Sequence, residues 1–262
     1  VPPRFINTEG IILRKYDFSE TSQVLTVLTR DRGRLQLLAK GLRRIRKKPV
    51  VFLDLLDRAE LVLIPKPPGS LSTLTEYRVL DDHPGLRDDL LRMAAAFFTA
   101  ELVTLASQEH QPLEPLYDLH VAALESLATA PRSALPSLLL AFEIRFLRRI
   151  GFGLELDGCV VCGRSRSGLR TTFFSPLRGG LLCPDCRSSD PSAVETASGV
   201  FPILRSLGGG SWDSATRTRI PWRIYREARR LLQRDYLLLF ERTLRSTRWL
   251  ERAAAGSAAA PP

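Results

Sequence analysis

Two C-x-x-C pairs, Cys159-Val-Val-Cys162 and Cys183-Pro-Asp-Cys186, use every cysteine in the chain and stand twenty residues apart. Two such knuckles at this spacing are the sequence signature of one tetrahedral zinc site. Gly158 and Gly163 flank the first pair and Pro184 sits inside the second, where the backbone must turn tightly around an ion. Between the pairs, the stretches 171–174 and 179–182 read as short strands, so residues 155–190 are expected to form a zinc ribbon. Two disulfides or four free thiols are the alternatives. A catalytic zinc keeps one position open for water, whereas four thiolates close the shell. His83, His110 and His120 all lie upstream, and none stands at ligand spacing to another. The expected cofactor is therefore one structural Zn2+, whose loss would loosen the local fold before any chemistry.

A chain of 262 residues is long enough for two domains, each with its own core. It contains no apolar run of the roughly twenty residues needed to span a bilayer, and Val1-Pro-Pro-Arg4 lacks the pattern of a secretory signal. Cysteines at metal spacing point to a reducing cytoplasm. The 38 Lys and Arg outnumber the 28 Asp and Glu, and this excess of ten favours a polyanionic partner. The charge is concentrated in two places. From Arg30 to Lys48 nine cations face Asp31 alone, and from Arg217 to Arg252 eleven arginines face four acids. Between Asp81 and Glu125, nine acids face only Arg87 and Arg92, so basic and acidic regions are expected to have different partners.

Residues 1–80 read as strands. The stretch 5–16 partly alternates, with Gly10 where a bulge or strong bend is expected, and 21–29 is β-branched and apolar. Asp31-Arg32-Gly33 is a hairpin turn signal feeding a strand at 34–40, and 53–64 and 71–80 supply two more. Five strands with no long helix suit a small barrel such as the OB-fold. The basic run 40–49 leaves the third strand as a loop, and OB-folds bind single strands along strands two and three and the adjoining loops. Arg32, Arg34, Lys40, Arg43, Arg44, Arg46, Lys47 and Lys48 are thus candidate phosphate contacts. Tyr16, Phe18, Phe52 and Tyr77 have the chemistry to stack on bases, although such rings more often fill a barrel.

After His83-Pro84 the apolar period becomes helical. Helices are expected over 86–107, 113–129 and 135–149, with the zinc module inserted after Gly151 and Gly153. A further helix is expected over 193–207, then a flexible break at Gly208-Gly209-Gly210. In the last helix, at 100° per residue, Arg219, Arg223, Arg226, Arg230 and Arg234 cluster on one side. Tyr225, Ala228, Leu232, Tyr236 and Leu239 fall opposite. A solvated charged face is the ordinary reading of such a row; a phosphate track is the functional one, since guanidinium pairs bidentately with phosphate oxygens. The helical domain is expected over 81–252 and the tail 253–262 to be disordered. The resulting fold class is α+β multidomain: an OB-fold β-barrel, then an α-helical bundle with an inserted four-cysteine zinc ribbon.

The stretch Ile11-Ile12-Leu13, Ser19-Glu20-Thr21-Ser22, Leu25-Thr26-Val27-Leu28-Thr29, Gly33-Arg34-Leu35 and Ala39-Lys40-Gly41-Leu42-Arg43-Arg44 resembles the opening of the RecO family of bacterial recombination mediators. Phe142-Glu143, Leu147, Gly151 and the four-cysteine pair follow in the family's order, so the resemblance spans roughly 10–250. It implies a protein that binds single- and double-stranded DNA and anneals complementary strands. It also implies work with RecR, and often RecF, to load RecA onto DNA coated with single-strand-binding protein, whose acidic carboxyl-terminal tail docks on the helical domain. Lys40, Arg43 and Arg44 match the family's basic loop as DNA contacts. Some relatives lack the cysteines, which agrees with a structural metal.

Such a mediator would be cytoplasmic, associated with the nucleoid, and not an enzyme. No G-x-x-x-x-G-K-[ST] loop or histidine–carboxylate cluster is present. A zinc-ribbon transcription regulator and a metal-dependent DNA-processing enzyme are the rival readings. The dense acids Asp81-Asp82 and Asp88-Asp89 read as a boundary turn and a first helical turn rather than a catalytic set.

Overall fold

The computed structural model describes residues 5–20, 22–40, 53–67, 69–197 and 199–258. The chain divides into two compact units, Val1–Ala128 and Thr129–Pro262.

In the first unit, strands β1 (Ile6–Asp17), β2 (Gln23–Thr29), β3 (Gly33–Ala39), β4 (Arg58–Ile64) and β5 (Ser72–Asp81) close into a barrel in the order β1-β2-β3-β5-β4. Every neighbouring pair is antiparallel except β3 and β5, the OB arrangement. β3 shows why the sequence closes this way: Leu35, Leu37 and Ala39 point inward, alternating with Arg34, Gln36 and Leu38. They join Ile12, Leu25, Val27, Leu61 and Leu63 in one core, each large side chain contributing about 1.5–3 kcal/mol by leaving water.

The expected bulge at Gly10 is not there. Gly10 pairs regularly, and the register shifts between Ile12 and Arg14 instead. A Cβ on Gly10 would lie 2.5 Å from Val27 Cγ1, so glycine serves close approach of β1 to β2 rather than a bend. The strand expected from residue 53 begins only at Arg58. Leu53 and Leu56 are buried, but Leu56 has φ +68° and its N–H donates to the Ile12 carbonyl at 2.8 Å. Leu53 thus joins the barrel core from a turn, which the hydrophobic run alone does not distinguish from a strand.

The helix expected over 86–107 is two: α1 (Pro84–Arg87) and α2 (Leu90–Ala106). Asp88 ends the first and Asp89 caps the second, its carboxylate accepting the Leu91 N–H at 2.7 Å. Asp81 Oδ1 accepts the His83 N–H at 2.7 Å. Both acid pairs thus have structural uses. After α2 the chain returns to the barrel before α3 (Glu114–Thr129). The Arg34 N–H donates to the Gln108 carbonyl at 3.1 Å and the Arg34 carbonyl accepts the His110 N–H at 3.2 Å. Gly33, at φ +69°, makes room: a Cβ there would be 2.3 Å from the Gln111 carbonyl oxygen. α3 is tied to the barrel by Tyr117, whose hydroxyl donates to Glu9 Oε1 at 2.8 Å, and Glu9 also pairs with Arg58 at 2.6 Å.

The second unit is built on α4 (Leu135–Arg149), buried along most of its length. Gly151, at φ +88°, follows its end. Next come β6 (Thr172–Ser175), β7 (Gly180–Leu182) and β8 (Val194–Thr196), a sheet in the order β7-β6-β8. Helices α5 (Val200–Gly209), α6 (Trp212–Arg217), α7 (Trp222–Phe240) and α8 (Arg245–Ala258) complete it. The helix expected over 193–207 therefore gives its first residues to β8, because Val194 pairs with Phe174 across the ribbon. Gly208 and Gly209 are not a flexible break. They end α5, and Gly208 lets α5 approach α4, since a Cβ would be 2.6 Å from Ile144 Cγ2. Arg145 holds that end, donating to the carbonyls of Leu207 (3.0 Å), Gly210 (2.9 Å) and Ser211 (3.2 Å). The expected disordered tail is helical to Ala258; residues 259–262 lie outside the described residues. Among the described residues no helix is long and apolar enough to cross a membrane.

Candidate metal centre and nucleic-acid surfaces

Cys159, Cys162, Cys183 and Cys186 converge with all four sulfurs within 4.8 Å of one another, and none is in a disulfide. Each pair is shaped by local hydrogen bonds. The Gly163 N–H returns to the Cys159 carbonyl at 2.8 Å and the Cys159 N–H to the Arg164 carbonyl at 2.8 Å, a turn that Gly163 completes at φ +72°. In the second pair the Cys186 N–H returns to the Cys183 carbonyl at 3.1 Å, in a 3-10 turn opened by Pro184. The Val160 N–H donates to the Leu181 carbonyl at 2.8 Å, which sets the first knuckle against β7. Arg164 then bridges the knuckles with an ion pair to Asp185 at 2.7 Å.

The donors fit a tetrahedral ion. Zinc–thiolate bonds of about 2.3 Å give sulfur–sulfur edges of about 3.8 Å, and Cys162 Sγ lies 3.7 Å from Cys183 Sγ. Electrostatics agree. Burial raises the Cys159 thiol, but hydrogen bonds from the backbone at Cys183, Cys162 and Val161 outweigh it and bring it down to about 6. Cys186, desolvated and facing the other sulfurs, is pushed up to about 12. The first thiolate forms readily, and the last resists forming unless a cation sits among them. The cluster can therefore hold a metal ion.

A second feature lies on α7. Arg223, Arg226, Arg230 and Arg234 are exposed along one side, and Ile224, Ala228, Leu232 and Tyr236 are buried on the other. Arg219 is exposed too but precedes the helix, and its Nη1 donates to Ser133 Oγ at 3.1 Å. Leu239, expected on the packing side, is only half-buried. The two acids of α7 leave the arginines unneutralised: Glu227 accepts the Ala197 N–H at 2.6 Å, and Asp235 is buried. Burial raises Asp235 to about 8. Among the described residues no carboxylate pairs with Arg223, Arg226 or Arg230.

Sequence reasoning missed Arg229. It turns inward to the fully buried Glu143, whose Oε1 also accepts the Tyr236 hydroxyl at 3.1 Å. The available signal was Glu143 itself, an acid among Phe142, Ile144, Phe146 and Leu147.

On the barrel, Arg32 is half-exposed and lies 3.4 Å from Asp31, while Lys40 is exposed at the end of β3. Arg34 is committed to structure, its Nη1 donating to the Thr104 carbonyl at 2.8 Å. Arg43, Arg44, Arg46, Lys47 and Lys48 lie outside the described residues, as does Phe52. Tyr16 and Phe18 are exposed, and Tyr77 packs against the barrel core. Of the histidines, His83 and His120 are buried in the first unit and His110 is exposed, none within the cysteine cluster.

A family profile described as Recombination protein O N terminal matches residues 4–83, and one described as Recombination protein O C terminal matches residues 87–248. A DNA repair protein RecO of Symbiobacterium thermophilum is 31% identical over 249 residues, covering 94% of this chain and 96% of the relative. One of Rhodopirellula baltica is 35% identical over 76% of this chain and 73% of its own length. Another, of Moorella thermoacetica, is 30% identical over 83% and 80%. With both profiles matched in order and similarity along nearly the whole length, the chain belongs to the RecO family.

Proposed function

We propose that the protein is a DNA repair and recombination mediator that binds single- and double-stranded DNA and anneals complementary strands. In this reading it also helps load RecA onto DNA coated with single-strand-binding protein, acting with RecR and RecF, in the cytoplasm at the nucleoid. The observation that carries the reading is the exposed arginine row of α7, unneutralised among the described residues, in a chain whose relatives are named for DNA repair.

The work of such a protein is electrostatic rather than enzymatic. Arg32, Lys40 and, from the sequence, the cations of 43–48 are one proposed set of phosphate contacts; Arg219, Arg223, Arg226 and Arg230 are another. Cations that neutralise two backbones lower the repulsion between strands and release condensed counterions, so pairing proceeds without nucleotide hydrolysis. Complementary oligonucleotides mixed with the protein should anneal faster than alone, without nucleotide, and the acceleration should fall as salt rises. Fluorescence quenching on pairing measures it, and acceleration that needs a nucleoside triphosphate or ignores salt would overturn the mechanism.

The bound metal in this reading is one Zn2+, a staple for the ribbon. Chelation is expected to raise the rate of tryptic cleavage within 155–190, which holds Arg164, Arg166, Arg170, Arg178 and Arg187, by about tenfold or more as the knuckles open. Annealing should persist. Cleavage rates unchanged by chelation, with metal removal verified by mass spectrometry, would refute the staple.

A further inference from the structure

Trp222 opens α7 and is 58% exposed, although its ring stacks on Tyr225 at 5.3 Å between centroids. The Arg226 guanidinium lies 5.9 Å from the centroid of the same indole. At 100° per residue Trp222 falls 40° from Arg226 and 80° from Arg230, so the ring is continuous with the arginine row. Tyr225 is half-buried and so ties the indole to the body of the domain. A broad aromatic face thus stays in water at one end of a cationic track, held in orientation by a neighbouring ring. Burial against this unit does not account for it, because the buried side of α7 is formed by Ile224, Ala228, Leu231, Leu232 and Tyr236.

We propose that Trp222 is a stacking platform for an unpaired base, so that the α7 surface takes single-stranded DNA in preference to duplex. The proposal rests on the reading of Arg223, Arg226 and Arg230 as phosphate contacts. The chemistry separates the two forms of DNA. Arginines meet phosphates on either form, whereas an indole can stack only on a base whose face is not already covered, and inside a duplex each face is covered by the next pair. Base stacking is sequence-tolerant because every base has a π-face, as a mediator acting on arbitrary sequences requires. Arg226 adds to it: a guanidinium beside the indole is placed to meet the phosphate of a stacked nucleotide and polarises the ring through its cation–π contact.

The test uses the full chain, a labelled oligothymidine and a blunt duplex of the same length, with affinities measured by anisotropy across a salt series. The readout is the ratio of single-strand to duplex affinity, which a merely structural role for Trp222 would not move. Trp222→Ala is expected to lower this ratio by on the order of 5- to 100-fold, and Trp222→Phe to keep most of it. The dependence on salt should be unaltered, because no phosphate contact is removed. An unchanged ratio in Trp222→Ala overturns the platform. The triple variant Arg223→Gln, Arg226→Gln, Arg230→Gln separates the layers of the argument. If it weakens binding while Trp222→Ala leaves the ratio alone, only the platform fails; if it leaves both affinities unchanged, the phosphate reading of α7 fails and the platform with it.

Discussion

Replacing Lys40, Arg43, Arg44, Arg46, Lys47 and Lys48 together by glutamine is expected to lower affinity for single-stranded DNA by about two to four orders of magnitude near physiological salt. Each phosphate contact on a single strand contributes about 0.7 to the slope of log affinity against log salt, so losing six should flatten that slope by about four. The two readouts must move together. A drop in affinity with an unchanged slope would mean the variant is misfolded or has lost something other than charge. Unaltered annealing would remove this segment from the DNA surface. Arg34 is left out of the set because it donates to the Thr104 carbonyl from a half-buried position. Its loss would unsettle the barrel and confuse the test.

The second large effect is expected in the core of the helical unit. Arg229→Ala should destabilise the unit by about 3–5 kcal/mol, because it leaves Glu143 buried without its counter-charge. Glu143 is fully buried and Arg229 nearly so. Burial raises the Glu143 carboxyl, and the Arg229 charge and hydrogen bond work against that rise. Glu143→Ala should cost a similar amount for the opposite reason, a stranded guanidinium. The double replacement Glu143→Leu with Arg229→Met should recover most of the loss, since buried ion pairs often exchange for apolar groups at little net change. Urea unfolding of the three variants measures this, and single-variant losses below about 1 kcal/mol would show the pair to be solvated after all.

Arg229 and Arg230 show how far sequence reading reaches. Neighbours in a helix point about 100° apart, so two consecutive arginines cannot both lie on one stripe. Periodicity places Arg230 outward, but Arg229's destination depends on Glu143, 86 residues earlier. The barrel strands and the cysteine ribbon were legible because their signals are local: alternation along β3, and paired thiols at fixed spacing. The start of β4 was not, since Leu53 and Leu56 are as apolar as strand residues and only the fold shows Leu56 at φ +68° in a turn that bonds back to Ile12. The same applies to Gly208, which reads as a breaker and acts as a contact surface for Ile144. Arg34 looked like one more cation in a basic run, and only the Thr104 carbonyl, 70 residues later, assigns its guanidinium to structure, while its backbone receives the returning residues 108–110.

That return has a consequence for how the molecule may be divided. The family profiles part between residues 83 and 87, whereas compact packing parts after Ala128. β3 meets β5 only from Leu37 to Ala39, so the hydrogen-bonding groups at its beginning are covered by Gln108 and His110 instead. A fragment ending at the profile boundary would carry an open strand edge in front of a glycine turn shaped to receive Gln111. Exposed edges of that kind recruit other chains. The sequence boundary and the folding boundary of this barrel are thus different places, and the segment between α2 and α3 covers an edge that the barrel strands leave open.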